Sequence, residues 1–161
     1  MPLQYILGKT EFFGLEFEVS PDCLCPRPDT EISVETALSL LPDDAEFLEL
    51  CTGSGCISVS ICKTRLGLSG IATDKFERTL AVAEKNAQRH GVLDRLAFVL
   101  SDLFDAPSYI GTRRFDAIIS NPPYIPTREI EGLSDEVKKE PTAARTDLIF
   151  TDISLRNTQN I

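Results

Sequence analysis

From residue 46 onward the chain alternates short apolar runs with segments of helical period, and nothing else in it restricts the fold so tightly. "EFLEL" (46–50), "SGIATD" (69–74), "RLAFVL" (95–100) and "FDAIIS" (115–120) each have the length and the apolar character of a buried strand. Residues 56–65 read as a helix between the first two. Between the second and third, "KFERTLAVAEKNAQRHG" places Phe76, Leu80, Ala83 and Ala87 on one helical face, with Gly91 suited to the C-terminal cap. Strand, helix, strand, helix in this order predicts an α/β fold, with parallel strands and helices on both faces of the sheet.

Upstream the pattern differs. In "EFFGLEFEV", Phe13, Leu15, Phe17 and Val19 alternate around a glycine, which predicts a strand or a β-hairpin. "CPRPDTE" breaks it: Pro26 and Pro28 stiffen the chain, and Asp29 is the expected N-cap of an amphipathic helix whose apolar face is Val34, Ala37, Leu38 and Leu41. Past Pro141 there is one short apolar patch, a polar end and no period. The expected organisation is an N-terminal hairpin and linker over 1–28, a principal domain over 29–144, and an irregular tail over 145–161.

Charge and cysteine usage narrow the function. A formal net charge of −9 argues against a binder of bare nucleic acid, since phosphate contacts need concentrated Lys and Arg. The five cysteines (Cys23, Cys25, Cys51, Cys56 and Cys62) form no paired metal-ligand spacing, and the single His90 is distant from them, so reduced thiols and no metal are expected. No apolar run approaches the ~18 residues of a membrane span, and a cytoplasmic protein is expected.

The candidate chemistry gathers where strands end. "LELCTGSG" sets a carboxylate, Glu49, and a Gly-x-Gly turn between a strand and a helix. Gly53 and Gly55 allow close backbone approach to a ligand, and the helix N-terminus offers free N–H groups. A dinucleotide fingerprint would want a third glycine where Ser58 stands, which counts against NAD. Asp74 ends the second strand and can accept from both hydroxyls of a ribose. Asp102, in "SDLF" after the third strand, can meet an adenine amino group; Asp74 and Asp102 as ordinary helix caps is the plainer alternative. The fourth strand ends in "NPPY". The Asn121 side-chain oxygen and the Pro122 carbonyl can each accept one N–H of a planar nitrogen, a poor nucleophile because its lone pair is delocalised. Proline lacks an N–H, so the loop is stiff and rich in acceptors, and Tyr124 can pack on a flat group. Bonds that strengthen as charge builds on that nitrogen favour the transition state.

"NPPY" in this setting resembles the signature of S-adenosylmethionine-dependent methyltransferases that modify a planar nitrogen. "PLQYILG", "CPRPDTE", "LELCTGSG", "ATDKFERTLAVAEKNA", "SDLF" and "FDAIISNPPYIP" together resemble, in order, the release factor glutamine N5-methyltransferase family, from Pro2 to about Ala144. The resemblance implies a Rossmann-like class I methyltransferase sheet using S-adenosyl-L-methionine. Its implied substrate is the Gln side-chain amide in the Gly-Gly-Gln motif of class I peptide chain release factors. It also implies cofactor contacts from Glu49, Cys51, Thr52, Gly53, Ser54, Gly55, Asp74, Lys75, Asp102, Leu103 and Asn121, and a grip on the substrate from Asn121, Pro122, Pro123 and Tyr124. Asn121, Pro122 and Tyr124 are the implied catalytic residues, and Arg27 to Glu31 would line the methionine side of the cleft. Glu49 stands where the family usually has Asp, lengthening a cofactor-facing carboxylate by one methylene. Cys51 stands where Gly is frequent, a small-for-small exchange.

The resemblance also implies a preceding helical domain and, after "EVKKEPTAA", a helix and three further strands, which this sequence is expected to lack. "ARTDLIFTDIS" can be encoded so that another reading frame gives "TDGSDFYRYI", which suits the family, so residues 145–161 are expected to be frameshifted sequence. "FDAIIS" is then expected to be an exposed apolar edge. Two other functions fit the same motifs: N-methylation of an exocyclic amine in RNA or DNA, and an inactive remnant that only binds S-adenosylmethionine.

Overall fold

The structure is a computed structural model and describes residues 3–103, 105, 110, 112–122 and 154–155. A short helix α1 (Leu3–Leu7) precedes a hairpin of β1 (Lys9–Phe12) and β2 (Leu15–Glu18). After it come α2 (Glu31–Leu40), β3 (Glu46–Leu50), α3 (Cys56–Thr64), β4 (Ser69–Asp74), α4 (Glu77–Arg89), β5 (Leu96–Leu100), β6 (Ala117–Ser120) and β7 (Ser154–Leu155). The four strands predicted after residue 45 all form. They lie parallel in the order β5-β4-β3-β6, with β7 added antiparallel beyond β6.

The chain builds outward from β3 through β4 to β5, then returns to place β6 on the other side of β3. That reversal opens a crevice between neighbouring strand ends, the usual ligand position in an open parallel sheet. Two contacts hold β6 against β3. At the start, the Glu46 N–H donates to Asp116 Oδ2 (2.9 Å) while the Asp116 N–H donates to the Glu46 carbonyl (2.8 Å). At the end, Leu50 pairs with Ser120, whose hydroxyl donates to the Leu50 carbonyl at 3.3 Å.

Phe12 and Phe17 of the hairpin share one buried cluster with Val34, Phe47, Ile61 and Ile119, so hairpin and sheet are parts of one core. The hairpin reverses through Phe13 (φ 51°) and Gly14 (φ 70°), the two left-handed residues of a tight two-residue turn. His90 closes against it, its ring 5.2 Å from that of Phe17 and its Nε2 2.8 Å from the Glu16 carbonyl. Gly91 (φ 68°) ends α4 as expected: its N–H reaches the Gln88 carbonyl and the Val92 N–H the Ala87 carbonyl, which together satisfy the last turn.

Some expectations need correction. Asp29 does not cap α2; it lies inside a 3-10 turn (Pro28–Thr30), and Thr30 occupies the cap position. The two prolines favour that tighter entry, because they fix backbone angles and donate nothing. Phe76 is not on the buried face of α4; it is the residue before the helix and is 43% exposed. The β6 edge is not bare, since Ala117 pairs with Leu155 and Ile118 with Ser154. An open strand edge recruits whatever extended segment reaches it. Sequence periodicity did not reveal α1, which is too short to display a period.

Candidate functional site

The strand ends converge as the motifs require. Beyond Leu50 the chain enters the turn Cys51 to Gly55. The Thr52 N–H donates to the Thr73 carbonyl (2.9 Å), which ties the turn to β4, and the Gly53 N–H donates to Asp74 Oδ2 (3.1 Å). The other Asp74 oxygen accepts from the Phe76 N–H at 3.2 Å. Burial pushes the Asp74 carboxyl up from its ordinary range, and the backbone N–H groups of Gly53, Phe76 and Lys75 pull it back down. The Ser101 N–H donates to the Asp74 carbonyl, so the ends of β4 and β5 are linked as well.

Gly55 (φ 78°) forms the corner into α3, and a Cβ there would lie 3.0 Å from that of Ala83. Only glycine suits both the backbone angle and the approach of α4. Asn86, fully buried on α4, secures this corner. Its Nδ2 donates to the carbonyls of Ser54 (2.9 Å) and Glu18 (3.0 Å), and its Oδ1 accepts from the Glu18 N–H (2.8 Å). One amide thus joins the hairpin, the turn and α4.

Glu49 is buried beneath the turn, 1% exposed. Its Oε2 accepts from the Thr52 hydroxyl (2.8 Å) and from the Ser58 N–H in the first turn of α3 (3.2 Å). With one methylene more than Asp, the Glu49 side chain reaches the Ser58 N–H. Burial pushes its pKa from 4.5 to about 8, against the pull of Thr52 and Ser58. The folded protein then holds a proton in the window from 4.5 to about 8 that the unfolded chain releases. This contribution to stability is complete below the lower value and is lost as pH rises through the upper one. Glu49→Gln should therefore flatten the fall in melting temperature between about pH 5 and pH 8.5, measured by thermal denaturation.

Cys51 adopts φ 58°, a left-handed angle unusual for a residue with a side chain. Its exchange for the frequent glycine is thus strained rather than neutral, and Cys51→Gly should stabilise the fold by about 1 kcal/mol in a denaturant titration. Burial, with the charges of Asp74, Glu49 and Asp102 adding, pushes its thiol up to about 12. Cys23 (about 11) and Cys62 (about 12) are raised for the same first reason, burial. The cysteines recorded in the structure are all free, and no metal-binding cluster occurs among the described residues.

Lys75 and Asp102, both more than half exposed, pair at 2.7 Å across the ends of β4 and β5. Leu103 is another left-handed residue, φ 51°. Across the crevice, Asn121 follows Ser120 directly, so it stands beside the turn that leaves β3. Its Nδ2 donates to Thr30 Oγ1 at 3.0 Å. Pro122 is buried; Pro123 and Tyr124 lie outside the described residues.

The family model for the methyltransferase small domain matches residues 31–138. The chain belongs to that family. Among curated proteins, the chain is 50% identical to the release factor glutamine methyltransferase of Nitratidesulfovibrio vulgaris, covering 89% of this chain and 48% of that protein. It is 45% identical to the protein of the same description from Geobacter sulfurreducens, covering 89% and 49%. The chain thus spans about half the length of the curated relatives it matches. Among solved structures, an RNA methyltransferase from Salinibacter ruber in complex with S-adenosyl-L-homocysteine superposes with a TM-score of 0.51 at 23% identity, covering 68% and 65% of the two chains. That likeness supports the fold. Membership of the methyltransferase family implies use of S-adenosylmethionine.

Two residues of this candidate site were not singled out individually. Asn86 could have been found as a polar residue on the apolar stripe of α4, three positions from Ala83. Thr30 carried no comparable signal, because its partner is 91 residues away. Among the described residues no helix is long and apolar enough to cross a membrane.

Proposed function

We propose that the protein transfers a methyl group from S-adenosylmethionine to the side-chain amide nitrogen of a glutamine, that of the Gly-Gly-Gln motif in class I peptide release factors. The observation that carries this reading is the pairing of Leu50 with Ser120, which sets Asn121 beside the turn at Cys51. A methyl donor in that turn and an amide on Asn121 would face each other across one strand spacing.

The donor set suits the cofactor. Asp74 offers acceptor oxygens for ribose hydroxyls, and among the described residues nothing lies within 4 Å of where a Gly53 Cβ would be. Phe76 and Leu100, 43% and 53% exposed, present apolar surface near Asp74 for a flat base. When bound, the cofactor supplies an electrophilic methyl group on a sulfonium. The chain's own part is positional. Because Asn121 Nδ2 is engaged by Thr30, its Oδ1 is the end left to accept a substrate N–H, and the Pro122 carbonyl takes the other. Fixing the amide plane by two acceptors aims its nitrogen at the methyl group, and proximity supplies most of the rate. In this reading residues 29–144 carry the methyltransferase unit and 1–28 the N-terminal hairpin region.

Calorimetric titration with S-adenosylhomocysteine, paired with transfer of labelled methyl to a release factor, tests the proposal. Binding with transfer to the Gly-Gly-Gln glutamine is the expected result. Binding without transfer would overturn the activity and leave a cofactor-binding protein, and transfer to RNA in its place would overturn the substrate.

A further inference from the structure

We propose that Thr30 is a positioning residue that sets which end of the Asn121 amide faces the substrate; this rests on the assignment of Asn121 above. A carboxamide has two ends of nearly the same shape and opposite chemistry. Half a turn about its terminal torsion replaces an acceptor by a donor, and a donor facing a substrate N–H would repel it. Shape cannot choose between the two, so a neighbour must. Thr30 Oγ1 lies 3.0 Å from Asn121 Nδ2 and accepts its N–H; with the hydroxyl acting as acceptor and its own proton directed away from the amide, Oδ1 is turned to the other side.

Thr30 is free for this because it does not perform the task threonine commonly has at a helix start. It occupies the cap position of α2, yet its side chain makes no capping bond. Its backbone is held on both sides. The Thr30 N–H donates to the Arg27 carbonyl at 3.0 Å and the Glu31 N–H to the Pro28 carbonyl, while the Glu31 side chain accepts the Phe13 N–H at 2.8 Å. The hydroxyl is therefore mounted on a braced segment that the hairpin turn also touches, and it reaches the tip of β6 from there.

Thr30→Val keeps the shape and removes the oxygen; Thr30→Ser keeps the oxygen. In 15N-labelled protein, the Asn121 side-chain amide, identified by its disappearance in Asn121→Ala, should exchange with solvent slowly in the parent and in Thr30→Ser. In Thr30→Val it should exchange about tenfold or more faster. Methyl transfer to a release factor should fall about tenfold in Thr30→Val and recover in Thr30→Ser, the loss appearing in the rate constant at saturating cofactor. A merely structural role would lower the melting temperature and leave the exchange of the Asn121 amide unchanged. Amide exchange indifferent to Thr30→Val, or Thr30→Ser as impaired as Thr30→Val, would overturn the proposal. If the parent transfers no methyl group, the activity reading fails while amide exchange still decides the role of Thr30. If Thr30→Val does not fold, an Asn121 amide exchanging in the parent as fast as a free one overturns it, and slow exchange retained in Thr30→Ser supports it.

Discussion

Asn121→Ala should lower methyl transfer to a release factor by a factor of about 10²–10³, and weaken S-adenosylhomocysteine binding far less. The substitution removes the side-chain acceptor at the reacting nitrogen and leaves the Pro122 carbonyl alone to hold the amide. One acceptor does not define a plane, so the nitrogen can swing away from the methyl group. A group whose bonds tighten as charge develops affects the rate constant more than substrate binding. Single-turnover kinetics at saturating cofactor would measure this directly. A variant with unchanged turnover and only a raised KM would place Asn121 in ground-state binding instead.

Asp74→Asn should weaken S-adenosylhomocysteine binding about 100-fold by calorimetry. A hydrogen bond to an ionised acceptor is worth about 1.5–3 kcal/mol, and the exchange replaces a two-acceptor carboxylate by one acceptor and one donor. The same side chain takes the N–H groups of Gly53 and Phe76, so the turn also loses part of its bracing. The two losses have different signatures: a ribose contact affects only the bound state, whereas bracing also affects the melting temperature of the free protein. Wild-type affinity in Asp74→Asn would remove Asp74 from the cofactor site.

What could be read from the sequence is what repeats or punctuates locally. "EFLEL", "SGIATD", "RLAFVL" and "FDAIIS" announce parallel strands by their short apolar runs, although only the first, second and fourth are mostly buried and β5, at the sheet edge, leaves Leu100 exposed. Gly53 and Gly55 announce a turn by their backbone freedom. The parallel arrangement follows from the alternation, and with it the shared edge on which Glu49, Asp74, Asp102 and Asn121 fall; the order of the strands does not. Long-range polar contacts were not legible. Asn86 bonds the hairpin across 68 residues and Thr30 meets Asn121 across 91, and neither spacing leaves a trace in a periodic pattern. Glu49 was placed by its strand, but its partners under the turn, Thr52 and Ser58, were not legible: the number of methylenes does not tell where a carboxylate finds its donors. Asp29 misled for a related reason, since a cap is chosen by backbone geometry at the helix entrance and the prolines shift that entrance along the chain.

The β3–β6 pairing has a corollary for how the molecule can fail. Its register rests on the Asp116–Glu46 clasp at one end and the Ser120 hydroxyl at the other, with a two-residue partner on the outer flank. Side chains alternate along a strand, so sliding β6 by a single position would turn Ile119 out of the interior and send the Asn121 amide to the reverse side of the sheet. Damage to the clasp, remote from any substrate, would then silence the protein without unfolding it, by misaligning donor and acceptor as a slipped zip misaligns its teeth.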